Sequence, residues 1–111
     1  MIRKDGYYIS EGFPWVDWHA SHKFEGVTYK ILRFFKEEKL LMLSEESTNF
    51  DPSKLRKPPK DQYHEFEKVV EVVIDPTSKW SVKRQFTVLS PEVLLDEKMN
   101  EYRFVPMNTP V

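Results

Sequence analysis

Three arginines stand among aromatic and aliphatic neighbours in this 111-residue chain: Arg33 in Ile31-Leu32-Arg33-Phe34-Phe35, Arg84 in Val82-Lys83-Arg84-Gln85-Phe86, and Arg103 in Tyr102-Arg103-Phe104. A guanidinium on an apolar face is costly to bury unless its charge is met. Its planar fork of donors matches a carboxylate or a phosphate. On simple alternation Arg33 shares a face with Tyr29, Ile31 and Phe35, and Arg84 shares one with Val82 and Phe86. If those faces line an interior, Arg33 or Arg84 holds the acidic head of a small apolar or anionic ligand, with Trp15, Trp18, Phe35 and Phe86 giving apolar contact. Both faces of the Tyr29 to Phe35 run are partly apolar, so the period leaves a second arrangement open, with Arg33 outside against Glu71 or Glu101.

The stretch Asp17-Trp18-His19-Ala20-Ser21-His22 is the other constellation. Two imidazoles and a carboxylate at this spacing could surround a metal ion, but a closed site needs further ligands that a loop between tryptophans does not supply, and His64 is the only other histidine. The expectation is no metal. Enzyme signatures are absent: there is no Gly-rich phosphate loop and no Gly-x-Ser-x-Gly elbow, and Glu37-Glu38 and Glu45-Glu46 fall in turns or strand ends. Catalysis would need Asp17, His19 and a serine such as Ser21 brought together by the fold. We therefore expect a non-enzymatic chain without a cofactor.

Composition narrows the classes further. Seventeen basic and eighteen acidic residues are interspersed to a formal net charge of -1, which argues against a nucleic-acid or anionic-membrane surface. The local exception is Lys54, Arg56, Lys57 and Lys60 around Pro58-Pro59, which reads as a solvated loop. There is no cysteine, so no disulfide or thiolate chemistry, in keeping with a reducing compartment. The start Met1-Ile2-Arg3-Lys4-Asp5 carries no apolar run, so no signal peptide is expected, and no stretch is long enough for a membrane helix. These features suggest one cytoplasmic domain over residues 1–111.

The elements that would position the arginines are strands. Trp80 to Leu89 alternates apolar and polar almost without a fault, which puts Trp80, Val82, Phe86 and Val88 on one buried face. Strand candidates follow at Gly6 to Ser10, Val27 to Phe35, Leu40 to Ser44, Glu67 to Ile74, Lys79 to Leu89, Val93 to Leu95 and Glu101 to Pro106, rich in β-branched and aromatic residues. The links Lys36 to Lys39, Asp75 to Ser78 and Asp96 to Asn100 suit hairpins, so neighbours pair antiparallel. Two segments interrupt the meander. Glu11 to Gly26 carries Phe13, Trp15, Trp18 and Phe24 and should fold back on something apolar. Ser47 to Tyr63 carries Pro52, Pro58 and Pro59, which limits it to one short helix near Pro52 to Lys57 in an exposed, mobile connection. The expected fold is all-β: an antiparallel up-and-down meander that closes into a small barrel, because closure removes exposed edges.

The order Asp5-Gly6-Tyr7-Tyr8-Ile9-Ser10, Trp18-His19, Tyr29-Lys30-Ile31-Leu32-Arg33-Phe34-Phe35 and Leu40-Leu41-Met42-Leu43 resembles the opening of the C-terminal domain of F-box only protein nine and of small bacterial lipocalin-like proteins. Over the rest of the chain the strand pattern and the closing Tyr102-Arg103-Phe104-Val105-Pro106 are similar. Members usually carry Pro-Asp-Gly in the hairpin where this chain has Lys36-Glu37-Glu38-Lys39. The resemblance implies a lipocalin-like, calycin-like barrel that binds a small apolar ligand or a protein partner, and no ubiquitin-ligase role.

Two readings follow. In one, the barrel encloses a ligand cavity with the Phe13 to Phe24 segment as its lid. In the other, a packed barrel presents an exposed aromatic loop to a protein partner, since tryptophan, tyrosine and arginine dominate interface hot spots. Burial of Trp15 and Trp18 separates them.

Overall fold

β-branched and aromatic residues do form strands where the alternation places them. The computed structural model describes residues 1–107, with strands β1 (Gly6–Ser10), β2 (Phe13–His19), β3 (His22–Phe35), β4 (Lys39–Glu45), β5 (Asp61–Glu65), β6 (Val69–Ile74), β7 (Val82–Ser90), β8 (Val93–Leu95) and β9 (Glu101–Pro106). The only helical element among the described residues is a 3-10 turn at Pro52–Arg56, capped by Asp51, whose carboxylate accepts the Ser53 N–H at 2.9 Å. Consecutive strands from β3 onward pair antiparallel, and β1 closes the ring by pairing with β9 on one side and with β3 on the other, through Tyr8↔Leu32 and Ile9↔Ile31. Eight strands make the barrel; β2 is a ninth, paired only with β3. Gly6 sits where β9 comes so close that a Cβ would meet the Phe104 ring at 2.6 Å.

Large side chains fill the barrel. Tyr8, Leu32, Phe34, Leu40, Tyr63, Val70, Val72, Phe86, Leu94 and Tyr102 are all buried in one cluster. Phe34 stacks edge-on with Tyr63 (4.9 Å between centroids) and Tyr8 (5.7 Å), and Phe86 with Tyr102 (5.3 Å), geometries that aromatic quadrupoles favour. The interior tyrosines keep partners for their hydroxyls: Tyr63 donates to the Phe35 carbonyl and Tyr8 to the Pro91 carbonyl, both at 2.6 Å. A barrel of this strand number is either filled by its own side chains or holds one small ligand, and here the middle of the barrel is taken by this cluster.

Burial, helped by Glu65 and Glu38, pushes the Tyr63 phenol up to about 12, and burial also raises Tyr102 and Tyr8. A raised tyrosine stabilises the fold fully below the unfolded value near 10; above it the unfolded chain ionises first and stability falls as pH rises. We expect chemical denaturation to lose about 1.4 kcal/mol per pH unit for each such tyrosine above about pH 10, with the tyrosinate absorbance of Tyr8, Tyr63 and Tyr102 appearing only as the barrel opens. Non-cooperative titration of every tyrosine near pH 10 would contradict this core.

Several sequence-based expectations change. Trp80 lies in the turn before β7, 76% exposed, and so is not part of a buried face; Val82 at the start of β7 is exposed as well. Glu11 to Gly26 forms most of a hairpin arm, and of its aromatic residues only Phe13 reaches the hollow at the barrel mouth, so the segment is not a lid carried by Trp15 and Trp18. Its turn residues Ala20 and Ser21 have φ of 48° and 69°, the left-handed conformation of a two-residue hairpin loop that normally calls for Asn or Gly. Lys36-Glu37-Glu38-Lys39 does make the expected hairpin, with Glu37 and Glu38 also left-handed at 64° and 60°. The Ser47 to Tyr63 segment is more than an exposed connection: Leu55 is fully buried, and the last residues enter β5.

Candidate functional site

β3 is where the candidate site begins, because its second half has barrel on one face and the Ser47 to Lys60 connection on the other. Leu32 and Phe34 point into the core, so Ile31, Arg33 and Phe35 point out. Leu55 of the 3-10 turn packs with Ile31 and Leu41 in a second apolar cluster, which Tyr7, Phe35 and Phe50 border. Arg33 is caught beneath this layer, with 0% of its surface exposed.

The guanidinium is incompletely satisfied. Nη1 donates to the Leu55 carbonyl at 2.7 Å, and the Phe35 ring lies 4.8 Å from Cζ. Nε and Nη2 have no partner. Among the described residues no carboxylate pairs with Arg33. The sequence-based partners are elsewhere: Glu101 accepts from Arg103 at 2.7 Å, and Glu71 stands on β6 opposite His64 and Gln85. Burial lowers the Arg33 pKa from its ordinary value, and the like charge of Arg56 lowers it further. The cation is thus held where its charge is disfavoured twice over.

A groove of about 560 Å³ adjoins it, lined by Arg33, Lys4, Lys36, Lys39 and Arg56, with Glu37, Phe35 and Pro59. Five cations face one acid. Lys4 lies 4.0 Å from Glu65, and the remaining basic groups of the groove form no ion pair among the described residues. Arg56 and Pro59 come from the basic cluster around Pro58-Pro59, which therefore is not simply a solvated loop; its Lys54 is neutralised by Glu45 at 3.0 Å. Lys4, Lys36 and Lys39 carried no signal in sequence, since only the pairing of β3 with β1 and β4 brings them to one place.

Arg84 and Phe86 are not in this groove. They line a second hollow of about 730 Å³ at the barrel mouth, with Lys30, Met42, Ile74 and Tyr102 among its walls. Phe86 is buried at the bottom and Arg84 is exposed at the rim. Charge there is mixed, because Asp96, Glu97 and Lys98 of the β8–β9 turn join Lys30 and Arg84. Burial pushes the Asp96 carboxyl up, yet hydrogen bonds from the Asn100 side chain and the Asn100 and Lys98 N–H groups hold it below its usual value, so it is committed to the turn.

Trp15 and Trp18 belong to the arm and line neither hollow. Trp15 is half-buried across Gly26, where a Cβ would lie 2.6 Å from the ring; Trp18 is 63% exposed and Phe24 52%. The free edge of β2 is blunted: Pro14 has no N–H to offer, and the Trp18 N–H is taken by the Asp17 carboxylate at 2.9 Å. His19 Nε2 contacts Asp17 Oδ2 at 2.9 Å and His22 is its cross-strand neighbour, but no group of three ligating side chains able to hold a metal ion occurs among the described residues. No helix there is long and apolar enough to cross a membrane.

Comparisons with family models, with curated proteins and with solved structures find no match for this chain. The closed antiparallel barrel is compatible in architecture with a lipocalin-like one.

Proposed function

We propose that this protein is a non-enzymatic binding module for a small acidic ligand, held in the groove under the Ser47 to Lys60 connection rather than inside the barrel. One observation carries the reading: Arg33 is wholly buried with Nε and Nη2 unpartnered and no carboxylate to meet its charge. Leaving buried donors unsatisfied costs about 1–3 kcal/mol, more for a charged group. An anion entering the groove would remove that cost, and so would be bound with the energy the free fold forgoes. The resemblance to small lipocalin-like barrels supports a binding role, which we assign to the flank of the barrel because its middle is occupied by side chains; the absence of cysteine supports a cytoplasmic setting.

Calorimetric titration with benzoate, a minimal acid with a ring to lie against Phe35 and Pro59, tests this. Binding is expected in the wild-type protein, unchanged in Trp18→Ser on the arm, and weaker by about tenfold or more in Arg33→Met. Equal binding by wild type and Arg33→Met would sink the proposal.

A second reading, a protein-interaction module, is favoured by the arm alone, whose Val16, Trp18 and Val27 are exposed on one face. With the edge of β2 blunted, a partner would lie against a face of the arm instead of adding a strand. Loss of a partner on Trp18→Ser, with the anion titration intact, would support it.

A further inference from the structure

The groove's charge says more about the ligand than that it is acidic. Nε–H and one Nη2–H of a guanidinium project in parallel from one edge of the plane, the geometry that grips two oxygens of a single carboxylate or phosphate. In Arg33 that edge is the unpartnered one, since Nη1 alone is engaged by the Leu55 carbonyl. A carboxylate would use both its oxygens there and cancel one charge. Around it Lys36, Lys39 and Arg56 would still face only Glu37 within the groove, and Lys4 is shared with Glu65 at 4.0 Å. The apolar walls, Phe35, Pro59 and the stems of the lysines, can carry a ring or a short chain, so it is the excess of positive charge that selects the head group. A compact, doubly charged group with a third oxygen to spare fits these walls better.

We propose that the groove takes a phosphate group, in the form of a small phosphomonoester, with two oxygens on the Nε/Nη2 edge of Arg33 and the third toward Arg56 and the lysines. This rests on the acid-binding reading above and narrows it. Placing a dianion between Arg33 and Arg56 turns their mutual repulsion into shared attraction, and Arg is the side chain best suited to such two-oxygen contacts. Because Arg33 is closed to water in the free protein, binding needs a local rearrangement and should be slower than a diffusional encounter.

Titration of the full chain with phenyl phosphate, inorganic phosphate and benzoate, at neutral pH and low salt, decides the matter. Phenyl phosphate is expected to bind at least about tenfold tighter than benzoate, since each 1.4 kcal/mol of added attraction is one decade. Arg33→Met and Arg56→Met should each weaken it by a similar factor, and Arg103→Met, on the exposed face of β9, should not. Inorganic phosphate binding as tightly as phenyl phosphate would support the phosphate site and make the free anion its source. Benzoate binding as tightly as phenyl phosphate, both through Arg33, would overturn the phosphate assignment while leaving the acid-binding reading intact. If no probe binds, or Arg33→Met changes nothing, both fall.

Discussion

Arg33→Met raises the stability of the free protein, by about 1–3 kcal/mol, although it removes a fully buried residue from a tightly covered site. Most substitutions of buried residues destabilise. Here the side chain lost is a cation that burial and Arg56 both oppose, with two nitrogens unpartnered. Methionine keeps much of the length and the packing against Phe35 and Leu55, and brings no charge. The opposing term is the buried Leu55 carbonyl, which loses the donor at 2.7 Å at a cost of about 1–3 kcal/mol, set against two unpartnered nitrogens and a disfavoured charge that the substitution removes. Urea denaturation in phosphate-free buffer measures the difference. A decrease of several kcal/mol would mean that Arg33 is a structural residue whose charge is met, and the functional reading would lose its basis. Adding phenyl phosphate should then stabilise the wild type by mass action and leave the variant where it was.

Phe34→Ala, one residue along the same strand, moves stability the other way by about 3–5 kcal/mol. Phe34 has no exposed surface and lies edge-on between Tyr8 and Tyr63. Truncation leaves a void that the closed ring of strands cannot collapse around, and two aromatic contacts are lost together. Against a typical domain stability of about 5–15 kcal/mol the loss is a large fraction, so thermal unfolding should fall sharply and the tyrosine titration above pH 10 should become less cooperative. A melting temperature within a few degrees of wild type would show that the interior is loosely filled, and would revive the barrel cavity as a ligand site.

The opposite signs at adjacent positions also show how far the sequence could be read. Period-two alternation established that Leu32 and Phe34 share one face and Arg33 and Phe35 the other. It could not say which face was the interior, because Ile31 and Phe35 are as apolar as Leu32 and Phe34. The tie is broken only by long-range packing, when Tyr63 and Tyr102 fill one side and Leu55 crosses the other. Arm and barrel differ for a similar reason. The sequence around Ala20-Ser21 contains no glycine or asparagine to announce a hairpin, and a turn held in left-handed geometry by the pairing of β2 with β3 is invisible to local propensity. Strand β5 was missed because Asp61-Gln62-Tyr63-His64-Glu65 has only one large apolar residue; it is a strand through its register with β4 and β6.

By itself the sequence determined the all-β class, the antiparallel pairing of β3 with β4 and of β6 through β9, the hairpins at Lys36 to Lys39 and Asp96 to Asn100, the turn that begins at Asp75 though it runs on to Ser81, and the short helical turn after Pro52. These depend on neighbours a few residues apart, which sequence displays directly. Only the tertiary structure decided that Arg33 and Arg84 belong to different hollows, that large side chains pack the barrel core beneath an open mouth, and that Lys4, Lys36, Lys39 and Arg56 meet around an unpartnered guanidinium. A charge's partners are set by which strands lie side by side once the barrel closes, and closure is a property of the whole chain.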